Sequence, residues 1–167
     1  MATFETKKFY RGVSLRHPLD KATIIRPRKD RRPRDTNSGI HEVADKWFLE
    51  KFGIAYRSQA IFATPQFYVA QGYAASPEHV VRVIPLTEYN FCWSTKISDM
   101  LMLCMSPSDT RTIIQRLNEA DYVDTNLSSA HESGNEIMIS CDSYISIPVG
   151  LLNEGTPEKN ISCIILP

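Results

Sequence analysis

The sequence has no run near the ~18–20 consecutive apolar residues that a membrane-spanning helix needs. Its first residues, Met1-Ala-Thr-Phe-Glu-Thr-Lys-Lys8, lack the apolar stretch of a secretory signal. Both absences point to a soluble protein of the cytosol, its own cell's or a host's, with no membrane partner. There is no C-x-x-C pair: Cys92, Cys104, Cys141 and Cys163 are scattered, which excludes a zinc site of the usual spacing. Three of them lie in apolar runs, where a thiol behaves as a small hydrophobe, so they read as reduced. His17, His41, His79 and His131 show no ligand spacing either, and no metal is expected. The chain also lacks a G-x-S-x-G elbow, a Walker loop and a dinucleotide-binding glycine fingerprint, which removes the commonest enzyme classes.

What is present is an ordinary globular composition, 43% hydrophobic and 23% charged, over 167 residues, enough for one domain spanning 1–167. The zero net charge hides a division. Residues 1–34 hold eleven Lys/Arg against three Asp/Glu, and the rest of the chain holds eight against sixteen. A basic head on an acidic body suits contact with phosphates. Its densest part, Arg26-Pro-Arg-Lys-Asp-Arg-Arg-Pro-Arg34, lies in a predicted long loop over 14–38 and cannot pack as a core element. A basic segment of this kind is usually solvated, and the functional alternative is a surface for nucleic acid or an acidic partner.

The pattern predicts a strand over 7–13 ending at Arg11-Gly12 and a helix over 39–52, with cap candidates at 35–38 and Gly53 as its stop. A strand over 57–64, a short helix over 66–74, and strands over 79–86 and 89–93 follow. Helices are expected over 95–104 and 107–119, then a polar lead-in over 120–135. Strands at 136–140 and 144–148 and a closing strand at 161–167 complete a mixed α+β chain, with helices early and short strands late.

Glu136 stands out because it opens an apolar strand just after a Gly134-Asn135 turn. Such a carboxylate is costly unless paired or used. It reads either as a salt-bridged strand-edge glutamate or as a fixed negative charge that could stabilise a sugar cation. Arg11 is either a surface arginine or a fork donor for phosphate or ribose, with Gly12 leaving backbone groups open to a ligand. Phe62 and Tyr73 are aromatics that could clamp a flat ring, while Ile61 and Ala70 suit core packing.

Taken in order, these pieces resemble the ADP-ribosyltransferase superfamily. Tyr10-Arg11-Gly12 looks like its first signature in the arginine-type version. Ala60-Ile-Phe-Ala-Thr64 with Ala70…Tyr73 is similar to the second, and Asn135-Glu136-Ile-Met-Ile139 to the third, whose glutamate is catalytic. The resemblance covers about residues 7–148. It implies two small packed sheets, antiparallel or mixed, with flanking helices around an NAD cleft. It implies NAD as substrate, Glu136 as the catalytic residue, and Arg11, Gly12, Phe62, Thr64 and Tyr73 as NAD-binding residues. The implied activity is transfer of ADP-ribose to a macromolecule, protein being favoured over nucleic acid, by a toxin, effector or phage anti-defence factor. Gly134 stands where arginine-modifying members carry a second glutamate, so the implied acceptor is not arginine. The alternatives are a non-catalytic binder of nucleic acid or an acidic partner through the basic loop, and an NAD-dependent RNA 2′-phosphotransferase.

Overall fold

Apolar side chains recur at helical spacing from Ile40 to Phe52, and this stretch folds as the longest helix of the computed structural model. The structure describes residues 2–32, 38–103, 112–152 and the backbone of 164–165. The order of elements is β1 (Tyr10–Gly12), β2 (Thr23–Ile25), α1 (Ser38–Phe52), α2 (Tyr56–Gln59), β3 (Ile61–Ala63), α3 (Phe67–Gly72), β4 (Val80–Pro85), β5 (Tyr89–Ser94), α4 (Ile113–Glu119), β6 (Tyr122–Val123), α5 (Leu127–Ser133), β7 (Ile137–Cys141), β8 (Tyr144–Pro148) and β9 (Ile164–Ile165). Two short 3₁₀ turns lie at Met100–Leu103 and Val149–Leu152. The class is α+β, with two small sheets and a few helices. No helix among the described residues is long and apolar enough to cross a membrane.

The chain divides into two compact units, the first made of Met1–Pro27, Ala63–Tyr89 and Cys141–Pro167, the second of Arg28–Phe62 and Asn90–Ser140. The first unit carries a five-stranded sheet in the order β1-β4-β8-β2-β9. Its pairs are antiparallel except β2 with β9, which is parallel. β4 and β8 are buried along almost their whole length, as their mainly apolar sequences require, and Arg82 and Ser146 are buried with them. Ala22, Ile145 and Ile147 form one core cluster, with Ile84 and Leu152 against it. Phe4 and Phe9 are fully buried, their rings 5.1 Å apart. The expected loop over 14–38 is corrected here. It contains β2, whose Thr23 lies opposite Ser146 of β8, a strand too short and too closely flanked by prolines to show a period of two.

The second unit carries the sheet β3-β7-β5-β6. Its core is aromatic: Trp47, Phe48, Phe52, Tyr56 and Tyr122 meet mostly edge to face at 5.0–6.3 Å, over Leu117, Cys92 and Met138. Within α1 the buried face is His41, Ala44, Trp47 and Phe48, while Val43 is exposed. Gly53 ends the helix with φ +75°, its N–H bonding Leu49 O at 2.9 Å. The cap candidates at 35–37 lie outside the described residues.

Three further expectations are corrected. The strand predicted over 57–64 opens instead as α2, because Asp45 Oδ1 accepts from the N–H groups of Arg57 and Ser58 at 2.8 and 3.1 Å. A cap delivered from another helix leaves no local signal. The helix predicted over 95–104 is reduced to the turn at Met100–Leu103. Ser94 Oγ takes the N–H groups of Lys96 and Ile97, and Asp99 Oδ1 takes those of Leu101 and Met102. The expected polar lead-in over 120–135 holds β6 and α5, which bury Tyr122, Leu127 and Ala130.

α4 opens with a capping box. Gln115 N–H donates to Thr112 Oγ1 at 3.2 Å, and Gln115 Oε1 accepts from Thr112 N–H at 2.8 Å. Thr112→Ala is expected to lower stability by about 1 kcal/mol in urea unfolding, since one end of the box then lacks its acceptor.

Candidate functional site

Glu136 is set by its neighbours before its own chemistry matters. Gly134 closes α5 at φ +77°, and the Asn135 side-chain amide donates to Ser94 O at 2.9 Å. Glu136 N–H then donates to Ser98 O at 2.7 Å, fixing the backbone one residue before β7 begins. Its Oε1 accepts from Met100 N–H at 3.4 Å. The residue keeps partial surface exposure, yet protein atoms displace most of the water from the carboxyl. Its pKa is consequently raised to about 7, first by that desolvation and then by the neighbouring Asp99 charge. Arg57, the Met100 N–H and Arg31 pull the other way. Cys92 and Tyr122 titrate well above their usual ranges, chiefly through burial, with the Glu136 charge adding to it.

The two arginines lie against one aromatic ring. The Arg31 guanidinium sits 4.4 Å from the centroid of Phe62, and that of Arg57 sits 5.2 Å from it. Arg31 is tied down by its N–H to Ser58 O at 3.1 Å and by Nη1 to Ala60 O at 3.5 Å. Arg57 follows the backbone clasped by Asp45, whose other oxygen is 3.8 Å from His41 Nε2. His41 titrates below its usual range because burial outweighs the attraction of Asp45. The second unit thus gathers Glu136, Asp99, Arg57, Arg31 and Phe62 of the expected and unexpected residues.

The first unit gathers the others. Arg11 is part-exposed on β1, opposite Val81. Gly12, next to it, is packed under α3: a Cβ there would lie 2.5 Å from Ala74 N and 2.6 Å from Ala70 O and Tyr73 C. Tyr73 caps that helix and leaves 57% of its surface exposed. Thr64 is buried, exchanges backbone hydrogen bonds with Tyr10 at 2.7 and 2.9 Å, and accepts Gln66 N–H on Oγ1 at 3.1 Å. It therefore opens the turn into α3.

Arg57, Arg31 and Asp99 were missed as site residues. Arg57 has no local signal at all. Arg31 was visible only as one member of a charge run, and Asp99 only as a short polar residue ahead of an apolar stretch, the usual dress of a cap. His17 is a further omission on the first unit. Its Nε2 is 2.8 Å from Ser146 Oγ, and its pKa is lowered by burial, Arg11 and His79. Among the described residues, no group of three or more His, Cys, Asp or Glu is placed to hold a metal ion. No family model, no curated protein and no solved structure matches the chain.

Proposed function

We propose that this protein is an NAD-dependent ADP-ribosyltransferase that modifies a macromolecule other than at arginine, in the manner of an effector, toxin or phage anti-defence factor. The supporting observation is Glu136: a carboxylate held at a strand opening through its own N–H and its own Oε1, with the charges of Arg57 and Arg31 favouring its ionised form. Cleavage of the nicotinamide–ribose bond leaves the electron pair on nicotinamide and an oxocarbenium-like ribose. A fixed negative charge that accepts a hydrogen bond from the ribose hydroxyl stabilises that cation. The acceptor's nucleophile then forms the new bond to the ribose carbon and gives up its proton. In this scheme Arg11 binds phosphate or ribose, and Tyr73 offers its exposed ring to the nicotinamide. Gly12 makes room for α3, which carries Tyr73, and Thr64 sets the turn into the same helix. Phe62 serves as the rest for the two arginines rather than as a stacking surface.

Incubation with labelled NAD and cell lysate tests the proposal. Transfer of label or release of free nicotinamide is expected, rising with pH through about 7 as Glu136 ionises, and absent in Glu136→Gln. An inert wild type over that whole range would sink it. The exposed cations Arg28, Lys29 and Arg32 favour a second reading, a non-catalytic polyanion binder. Salt-sensitive nucleic-acid binding without any NAD turnover would establish that one instead.

A further inference from the structure

A carboxylate that must be ionised to act has an opposing problem in the second unit. Desolvation and Asp99 both favour its protonated form. The Met100 N–H and two cations oppose them, and both cations come from elements distant in sequence from β7. Arg57 rides on α2, whose first N–H groups are clasped by Asp45 of α1. Arg31 belongs to the basic segment, docked through Ser58 O and Ala60 O. Two guanidiniums repel one another in the absence of something to share. What they share is the face of Phe62 on β3, a strand that neighbours β7 in the sheet.

We infer that Phe62 is a platform that holds the Arg57 and Arg31 guanidiniums toward Glu136, making all three positioning residues for the carboxylate. The inference rests on the reading of Glu136 as the working group, but it concerns the free protein and is measured without NAD. The charged and titratable groups bearing on Glu136 are Asp99 ahead of the Met100–Leu103 turn, Arg57 on α2 and Arg31 in the basic segment, with Cys92 on β5 and Tyr122 on β6 feeling its charge in return. The basic segment is then more than a solvated run of charge: its Arg31 is built into the site, while Arg28 and Asp30 pair with each other at its surface.

The test is the ionisation midpoint of Glu136. It is read from the pH dependence of the stability difference between each protein and its Glu136→Gln partner. Arg57→Met is expected to raise the midpoint by about one pH unit, the effect of losing a nearby opposite charge. Arg31→Met, on the surface segment, raises it by less and leaves the fold intact should Arg57→Met fail to fold. The sharpest arm is Phe62→Leu, which removes no charge and is still expected to raise the midpoint. Arg57→Lys keeps the charge, loses the planar contact with the ring, and is expected to fall between wild type and Arg57→Met. Unmoved midpoints in Arg31→Met and Phe62→Leu overturn the inference even if the wild type releases nicotinamide. Shifted midpoints in a protein that never turns over NAD leave the platform standing and sink only the proposed activity.

Discussion

Glu136→Gln is expected to be more stable than the wild type at about pH 8 by about 3 kcal/mol, while nicotinamide release falls by ~10²–10³. The sign follows from where the protons sit. An unfolded glutamate releases its proton near 4.5, but in the folded protein Glu136 holds it to about 7. Between these values the folded state binds more protons than the unfolded state, so stability falls as pH rises. Above about 7 the full cost of a buried, ionised carboxylate is present, and below about 4.5 it is gone. Glutamine carries no charge to bury and keeps an oxygen for Met100 N–H, so its stability lacks this slope. Urea unfolding of both proteins at about pH 4 and about pH 8 measures the difference, which should vanish at the lower value. A wild type that is the more stable one at about pH 8 would show that the arginines overcompensate for desolvation.

Glu136 was legible because nothing but its charge was out of place. A Gly-Asn turn, then a carboxylate, then an apolar strand is a local contradiction that can be seen without knowing the fold. The strands β4, β7 and β8 were legible for a local reason too, since each is a short, mainly apolar and β-branched run interrupted by one polar residue, Arg82, Ser140 or Ser146. α1 was legible in extent but not in phase. Val43 belongs to its apolar positions but is exposed, and the buried face holds His41 instead, with Asp45 one turn on to meet its ring. What could not be read was everything delivered from a distance. The cap on α2 comes from α1, Arg57 and Arg31 reach Phe62 by tertiary approach, and β2 exists through its pairing with β8 and β9. Asn126 starts α5 from a left-handed backbone at φ +61°, a device its sequence of small polar residues conceals.

Gly12→Ala should cost about 3 kcal/mol, at the upper end of what overpacking does, because the added methyl has no flexible neighbour to push aside. It would stand 2.5–2.6 Å from three backbone atoms of the α3 C-terminus, Ala74 N, Ala70 O and Tyr73 C, and main chain in a capped helix can yield only by moving the helix. Moving the helix also displaces Tyr73 and disturbs the edge-to-face contact of Tyr10 with Phe67, whose centroids are 5.9 Å apart. A glycine at a strand end admits the close approach either of a ligand or of a neighbouring element. The experiment separates them. If α3 is the reason, the alanine variant unfolds at markedly lower urea without any ligand present. Gly72→Ala, where a Cβ meets nothing within 4 Å, should stay within about 1 kcal/mol of wild type. If the reason is a ligand alone, Gly12→Ala keeps wild-type stability and loses only its turnover of NAD. The first outcome makes Gly12 a packing residue on its short strand: it admits the helix that carries Tyr73, and the cost of the added methyl is read in the fold before any ligand binds.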